Sequence, residues 1–338
     1  MKICFFSPYS TYHALLIAYF MSGKQTESYL KKVLRLNEKQ AKSDIYAAYK
    51  TDKLMTQLLA RGAPYEFTNA NKIYVSDVVP VRDCVVNDFL EELESKNFKQ
   101  DPEGSRLDIN NWVENTTHHM IKDLLPSGAI DQATDLVLVN AAYFKGIWEQ
   151  KFNPNLTKQE VFYVNPAKQI MVDMMHVEET FKHDASEVLG AHILEMPYKG
   201  DNISMYILLP PFASTEDSIE ATLKKLTLEN FKSIVENDRL VSKTILESVG
   251  VGNLFKDDAD FSSLTPKKIS VGRGIHKARI DVNEHGTQAA AATAIFSWRM
   301  MMDEPVKFIC NRPFIYIIYN AKTHTIFFIG VFRYPPKV

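Results

Sequence analysis

Residue types that could support catalysis or metal binding occur along the chain, but their spacing matches no catalytic or metal-binding motif. A nucleophile elbow (G-x-S-x-G), a P-loop, a zinc-binding H-E-x-x-H and a C-x-x-C pair are all absent. The two-glycine fragments at 249–252 and 272–274 complete no phosphate-binding loop and indicate turns. His118 and His119 are adjacent in a stretch of helical periodicity, so they would point to different faces and could not bind one metal ion together. The sequence therefore predicts neither an enzyme nor a metal or cofactor site.

The cysteines indicate no disulfide framework. Cys4, Cys84 and Cys310 are odd in number and far apart in the chain. We predict that they are small buried hydrophobic residues or, at one position, an exposed thiol, and they do not identify a redox compartment.

The most unusual stretch is residues 284–294, Glu-His-Gly-Thr-Gln followed by four alanines, Thr and Ala. The helix propensity of alanine favours a helix that begins near Thr287. Two features favour an exposed loop instead. Gly286 precedes the alanines and can act as a hinge, and the apolar, aromatic and basic residues 295–302 lead into Asp-Glu-Pro. From the residues alone, both interpretations stay open.

The length and composition of the chain are typical of a globular protein with a sizeable core. The chain has 338 residues, of which 46% are apolar and 24% charged. The net charge of -2 gives no positive field of the kind that nucleic-acid-binding proteins carry. No Pro/Gly/Ser-rich linker and no repeat divides the chain, so we predict a single domain over residues 1–338.

The pattern of elements predicts an α+β fold, because helical periodicity concentrates in the first third and strand patterns in the last two thirds. The predicted helices cover 14–21, 26–36, 53–59, 85–93, 109–125, 217–226, 228–236 and 243–249. The predicted strands cover 3–6, 70–75, 134–142, 161–163, 192–196, 204–209, 276–282, 308–310, 314–319 and 325–332.

No targeting signal or membrane span is predicted in this chain. Pro8 and several polar residues interrupt the apolar N-terminal run, and no stretch of eighteen apolar residues occurs. Three N-x-S/T sequons, at Asn115, Asn155 and Asn202, are possible glycosylation sites if the chain enters the secretory pathway.

The sequence resembles the serpin family through landmarks that follow one another along the whole chain. They are FFSPYS at 5–10, NKIYV at 71–75, INNWV at 109–113, LVNAAYFKGIW at 138–148, HKA at 276–278, NRPF at 311–314 and FIG at 328–330. The resemblance implies a serpin fold: one domain with a large central mixed sheet, two smaller sheets, surrounding helices and an exposed reactive-centre loop at about 286–305.

The resemblance also implies a mechanism that needs no cofactor. In inhibitory members a serine or cysteine protease cleaves the loop and forms an acyl-enzyme. The loop then inserts into the central sheet as a new strand and carries the protease with it, so the catalytic nucleophile belongs to the partner. Small side chains permit this passage, and the implied hinge residues are Glu284, Gly286, Thr287, Ala289, Ala290, Ala291 and Ala292.

The register of the loop predicts the reactive bond. In the family the specificity residue usually lies fourteen positions beyond the hinge glycine, which points to the Met300-Met301 bond and to a protease of the chymotrypsin or elastase type. Cleavage one residue earlier, between Arg299 and Met300, would instead suit a trypsin-like enzyme. Both alternatives are retained.

Two further groups of residues follow from the resemblance. Ser7, Ser10, Asn140 and His276 correspond to the shutter, a buried polar cluster beneath the point where the central sheet parts. The breach, where the loop first enters, corresponds to Trp148 and Glu284. For each residue alone, ordinary core packing is the alternative interpretation.

The sequence departs from the family pattern at two places. Family members normally have a helix before the 5–10 landmark, and an extended stretch that forms a strand of the large sheet is missing near 239–242. We therefore expect either a truncated or spliced chain or a folded, non-inhibitory variant. We favour the former and expect a secreted parent protein.

The predicted function is suicide-substrate inhibition of a serine protease by a monomer, with no nucleic-acid or membrane partner. The alternative is a non-inhibitory serpin with a carrier, chaperone or storage role, or an inactive isoform. Lys31, Lys32 and Arg35 share a helix with Glu27 and indicate a solvated face, so they give no argument for a glycosaminoglycan partner.

Overall fold

The computed structural model describes residues 4–200, 202–212, 218–235, 259–269, 271, 273–280, 282–284 and 307–335. Within these residues the α-helices are α1 (Pro8–Met21), α2 (Lys24–Val33), α3 (Lys42–Ala60), α4 (Asp83–Asp88), α5 (Pro102–Thr116), α6 (Ser218–Lys225) and α7 (Leu228–Val235), with a short 3-10 helix at Pro154–Leu156. The strands of the first half are β1 (Cys4–Phe6), β2 (Tyr65–Ser76), β3 (Leu93–Lys96), β4 (Leu136–Gly146), β5 (Lys158–Asn165) and β6 (Lys168–Met174). Those of the second half are β7 (Lys182–Ser186), β8 (Ala191–Pro197), β9 (Ile203–Leu209), β10 (Arg273–Ile280), β11 (Phe314–Asn320) and β12 (Thr325–Phe332).

The chain divides into two compact units. One contains 6–144 and 247–280, and the other contains 1–5, 145–246 and 281–338. The single domain expected from the sequence stays a prediction. The α+β class with three sheets is confirmed, since the strands form sheets of six, four and two strands.

The four-stranded sheet of the first unit has the order β10-β4-β2-β3 and lies between two helices. Strand β4 alternates between them: Leu136 and Leu138 belong to the cluster that contains α1, whereas Val137 and Val139 pack in the cluster that contains α5. Successive side chains of a strand point to opposite faces, so each face of β4 is buried by a different helix.

Helix α1 begins earlier than the predicted 14–21 because Pro8 starts it rather than interrupting it. Ser7 is the N-cap, and its side chain accepts a hydrogen bond from the Ser10 backbone N–H at 3.1 Å. Proline is favoured at the first helical position, where its missing N–H is not needed. Most of α1 is buried, so its apolar run belongs to the core.

Helix α5 ends at Thr116, so the prediction of a helix over 109–125 was wrong at its C-terminal end. The chain leaves the helix because His118 and His119 both adopt left-handed backbone conformations, with φ of 50° and 62°. The two histidines therefore do not lie in a helix. The Thr117 hydroxyl caps the turn by donating to the Val113 carbonyl oxygen at 2.8 Å and accepting from the Ile121 N–H at 3.1 Å.

The other unit contains the six-stranded sheet, with the order β1-β12-β11-β9-β8-β7, and the β5–β6 hairpin. Strand β11 pairs antiparallel with both β12 and β9. Its Tyr316 ring lies so close to Gly330 that a Cβ there would sit 2.4 Å from a ring carbon, so only glycine fits. Among the described residues, no helix combines the length and apolar character that a membrane span requires.

Candidate functional site

The four residues predicted for the shutter come together on one face of the β4–β10 pair. These strands are parallel, and their register places His276 opposite Asn140. Ser7 and Ser10 lie at the start of α1, the helix that covers this face. Ser7, Ser10 and Asn140 are buried, and buried polar groups need hydrogen-bond partners.

Hydrogen bonds join these side chains into one network. The Ser7 backbone N–H donates to His276 Nε2 at 3.2 Å, and His276 Nδ1 contacts Asn140 Oδ1. The Asn140 side-chain amide donates to the Ser10 carbonyl oxygen at 3.1 Å and to the Ser10 hydroxyl at 2.5 Å. The network thus ties α1 to both β4 and β10.

Two asparagines of β2 that were not among the predicted site residues complete the network. The Ser10 hydroxyl donates to Asn69 Oδ1 at 2.6 Å, and the Asn71 side-chain amide donates to the same oxygen at 2.8 Å. The Asn140 amide also donates to Asn71 Oδ1. Their spacing of two along a strand next to β4 is the signal that could have identified them, because it places both side chains on one face.

The network determines the tautomer of His276. Nε2 accepts a hydrogen bond from Ser7, so the ring proton lies on Nδ1 and is donated to the Asn140 side-chain oxygen. Burial lowers the pKa of His276 to about 4. The geometry acts in the same direction, because a proton added to Nε2 would face the Ser7 N–H. The imidazole is therefore neutral at physiological pH.

The predicted breach residues lie in the other unit. Trp148 is fully buried, with its ring parallel to that of Tyr198 at a centroid separation of 4.3 Å. Its indole Nε1 donates to the Asn283 carbonyl oxygen at 3.0 Å. The tryptophan therefore holds the segment that immediately precedes the predicted hinge.

Glu284 is held at both its backbone and its side chain. Its carbonyl oxygen accepts from the Phe152 N–H at 3.0 Å, and Oε1 accepts from the Thr157 hydroxyl at 2.8 Å. Trp148 and Glu284 are thus joined through Asn283, Phe152 and Thr157. No sequence pattern indicates Thr157, since it lies 127 residues from Glu284 along the chain.

The remaining predicted site residues are those of the hinge, the reactive bond and the sequons. The hinge from Gly286 to Ala292 and the reactive-bond residues Arg299, Met300 and Met301 lie outside the described residues. The sequon residues Asn115, Asn155 and Asn202 are all exposed.

The two cysteines whose side chains the structure describes are free thiols. Cys84 is exposed on α4 and Cys310 is half-buried. Burial raises the pKa of Cys310 to about 12, so the thiol is protonated at neutral pH. Within the described part of the chain, no three His, Cys, Asp or Glu side chains form a potential metal site.

Comparisons with known proteins identify the family of this chain and agree with its fold. The family model described as Serpin (serine protease inhibitor) matches residues 2–335. Serine protease inhibitor 88Ea of Drosophila melanogaster is 36% identical, over 99% of this chain and 86% of its own. Serpin B3 of Homo sapiens is 34% identical, over 98% and 93%.

Solved structures show the same fold. Uncleaved ovalbumin superimposes with a TM-score of 0.82 at 22% identity, covering 99% of this chain and 94% of its own. Maspin has a TM-score of 0.82 at 24% identity, with coverage of 99% and 93%. The protein has the serpin fold and belongs to the serpin family, a family of serine protease inhibitors rather than of enzymes.

Proposed function

We propose that this protein is a suicide-substrate inhibitor of a serine protease, trapping the acyl-enzyme by inserting its cleaved loop between β4 and β10. The observation that carries the proposal is the intact polar network across these two strands, combined with the small residues Ala289–Ala292 that follow β10 in the chain. An inhibitor needs a sheet that is closed before cleavage and can open afterwards.

Chain direction supports insertion at this place. Strands β4 and β10 run parallel, with eight paired residues from Arg273 to Ile280 on β10. A chain that leaves the C-terminal end of β10 and turns back runs antiparallel to both strands. It can therefore form an antiparallel hydrogen-bond ladder with each of them, and antiparallel pairs are slightly more stable per residue than parallel ones.

The held segment before the hinge supports the same proposal. Trp148, Phe152 and Thr157 fix residues 283 and 284, so the loop would turn from a defined point. Inserted residues alternate between the core and the opposite face, which places Thr287, Ala289, Ala291 and Thr293 on one side. All four are small and uncharged, and they can be buried at little cost.

We propose Met300-Met301 as the reactive bond, with Arg299-Met300 as the alternative. Methionine suits the apolar primary pocket of chymotrypsin- or elastase-like enzymes, and arginine suits the acidic pocket of trypsin-like enzymes. A relative named Leukocyte elastase inhibitor, from Equus caballus, is 32% identical over 98% of this chain and 93% of its own, which favours the first alternative.

The experiment incubates the purified protein separately with trypsin, chymotrypsin and elastase, followed by denaturing electrophoresis. A covalent complex that survives denaturation supports inhibition. Clean cleavage without a complex contradicts it. Mass spectrometry of the released C-terminal peptide distinguishes cleavage after residue 299 from cleavage after residue 300.

A second candidate is a non-inhibitory serpin or an inactive isoform. The alignment with serine protease inhibitor 88Ea spans 367 residues, whereas this chain has 338, so the relative contains positions opposite gaps in this chain. We propose that a stretch missing near 239–242 accounts for some of these positions. Sequencing the transcript across codons 239 to 243 tests whether the stretch is encoded.

We further propose that the protein is secreted, monomeric and glycosylated. The exposed sequons at Asn115, Asn155 and Asn202 support glycosylation. Expression in secreting cells, with an endoglycosidase digest and light scattering of the product, tests all three properties. Retention in the cell without a mass shift would contradict it.

A further inference from the structure

Two histidines of the six-stranded sheet face each other across neighbouring strands. His183 lies on β7 and His192 on β8, and these strands pair antiparallel. His183 Nε2 is 3.3 Å from His192 Nδ1. The two rings are nearly parallel, with an angle of 10° between their planes and a centroid separation of 5.4 Å. Both residues are exposed, so the facing nitrogens are accessible from solvent.

The register of β7 and β8 explains why the two rings meet. His183 pairs with Leu194, and His192 pairs with Ala185, so the histidines are diagonal neighbours on one face of the sheet. Diagonal neighbours are about 7–8 Å apart, a distance that two long side chains can bridge. Ala185, directly opposite His192, is small and leaves room for the rings to approach each other. The backbone of two paired strands therefore positions both imidazoles.

The surroundings of the pair are an aromatic ring on the same side and an ion pair on the other. The Phe308 ring meets the His183 ring edge-on, with a centroid distance of 5.6 Å and an angle of 76°. Lys182 precedes His183, so it lies on the opposite face of β7. There Lys182 Nζ lies 3.3 Å from Glu195 Oε2. The ammonium group is thus directed to a carboxylate and not to the two imidazoles.

The separation of the facing nitrogens fits one metal ion between them. Zinc binds imidazole nitrogen at about 2.0–2.1 Å with tetrahedral angles, which places two such nitrogens about 3.3–3.4 Å apart. In the hydrogen-bonded pair, one facing nitrogen carries the proton and the other accepts it. A neutral imidazole can carry its proton on the far nitrogen instead, Nδ1 of His183 or Nε2 of His192. Both facing nitrogens then present a lone pair.

We propose that His183 and His192 bind one divalent transition-metal ion, Cu²⁺ more tightly than Zn²⁺, with water in the remaining coordination positions. Imidazole suits copper, zinc and nickel, whereas magnesium and calcium prefer oxygen ligands. Affinity for a nitrogen site rises from zinc to copper. In the part of the chain that the structure describes, no three potential ligands meet, so two imidazoles are the protein ligands of this site. The proposal is independent of protease inhibition.

A bound ion would join the last strand of the described sheet to its neighbour. Strand β7 stands at the end of the order β1-β12-β11-β9-β8-β7, next to β8. The two ligands are brought together by the pairing of β7 with β8, which exists in the folded protein. An ion that binds the folded state more tightly than the unfolded state stabilises the fold by mass action.

The test titrates Cu²⁺ into the purified, tag-free protein. Isothermal titration calorimetry measures the affinity, and electron paramagnetic resonance counts the bound nitrogens. His183→Gln and His192→Gln each remove one imidazole at an exposed position. His176→Gln is the matched control, because His176 lies beside a carboxylate, Glu160, and not beside another histidine. All variants are made in a Cys84→Ser background, which removes an exposed thiol that could bind copper.

We expect one Cu²⁺ per chain, with nitrogen splitting from two imidazoles in the starting protein and from one imidazole in either single variant. Loss of one ligand should weaken binding at least about tenfold, since even the residues that hold a metal ligand in place contribute that much. His176→Gln should bind Cu²⁺ like the starting protein. Equal affinity of the starting protein, His183→Gln and His192→Gln, or no saturable binding to any of them, would overturn the proposal.

Urea unfolding with Zn²⁺ gives a second measurement on the same proteins. Zn²⁺ should raise the urea midpoint of the starting protein and of His176→Gln, and it should leave the His183→Gln/His192→Gln double variant unchanged. Mg²⁺ should change none of them. An equal rise in the starting protein and the double variant would reject His183 and His192 as the ligands.

Discussion

At the scale of single residues, the neutral His276 imidazole connects α1 with β10 and Asn140. It can do this only while Nε2 accepts from Ser7 and Nδ1 donates to Asn140, which requires the uncharged ring. Protonation would replace an acceptor with a donor in a half-buried position. The charge state of His276 therefore controls whether this hydrogen-bond network between β4 and β10 persists.

We predict that the protein loses stability as the pH falls from about 6.5 toward 4. The pKa of His276 is lowered to about 4 in the folded protein, so the unfolded state binds the proton first and the stabilisation is fully present only above pH 6.5. Between pH 7.5 and pH 5 the free energy of unfolding should fall by about 2 kcal/mol from this group alone.

Urea unfolding of the wild type and of His276→Gln at both pH values measures this effect. The variant should be less stable at pH 7.5 and should lack this part of the pH dependence. His324→Gln, at a histidine of the other unit, is the control that should keep the full dependence. An equal fall in the wild type and His276→Gln would contradict the assignment.

A second prediction at this scale concerns Thr287, the first hinge residue expected to face the core after insertion. Thr287→Arg should convert the inhibitor into a substrate, because burial of an unpaired guanidinium is costly and slows insertion. Gln288→Arg, at the neighbouring position on the other face of the inserted strand, should keep inhibition. The stoichiometry of covalent complex formation measures both, and wild-type stoichiometry for Thr287→Arg would reject this account of the hinge.

At the scale of elements, the segment 282–284 is the connection between β10 and the predicted loop. Trp148 follows β4 and Thr157 precedes β5. They bind neighbouring residues of that segment, Asn283 and Glu284. Trp148 binds a backbone carbonyl, whereas Thr157 binds a side chain. The Thr157–Glu284 bond can therefore be removed without altering the backbone.

We predict a coupling free energy of about 1 kcal/mol between Thr157 and Glu284, the usual net value of one partly buried hydrogen bond. Thr157→Val, Glu284→Met and the double variant form the cycle, measured by urea unfolding, because methionine keeps the length of the side chain and removes the acceptor. Thr51→Val, which removes a hydroxyl that bonds within α3, combined with Glu284→Met should show no coupling. Additive effects of Thr157→Val and Glu284→Met would show that the contact contributes nothing.

At the scale of the whole molecule, the proposed function requires that the uncleaved form is not the most stable arrangement of the chain. The His276 network holds the β4–β10 pair together, and the proposed insertion requires that this pair opens. Cleavage within 286–305 would release the loop so that it can add a strand.

We therefore predict that the cleaved protein unfolds at a temperature at least about 10 °C above that of the intact protein, since an added strand contributes several kcal/mol. Thermal unfolding followed by circular dichroism, before and after proteolysis within the loop, measures the difference and the gain in strand content. Cleaved Thr287→Arg is the matched control and should show little increase. A cleaved wild type that unfolds at the temperature of the intact protein would reject loop insertion.

Long apolar elements were predictable from the sequence. The predicted strand at 325–332 coincides with β12, and 314–319 agrees with β11 to one residue, because continuous apolar side chains are buried on both faces of these strands. Strand β7 was missed, since its residues Lys-His-Asp-Ala-Ser are polar and it exists through pairing with β8. The shutter and breach residues were assigned from local strings that resemble the family, and their roles stay a prediction.

Tertiary structure alone decided which residues complete the site. The spacing of Asn69 and Asn71 predicts a shared face of β2 but not the partner on that face. Asn69 binds Ser10 across 59 positions of the chain, and Thr157 binds Glu284 across 127. A polar side chain on an exposed or half-buried strand has no periodic pattern that identifies its partner. The spacing of apolar residues along the chain indicates which of them are buried. A hydrogen bond between distant residues depends instead on the register and order of the strands, which only the folded chain establishes.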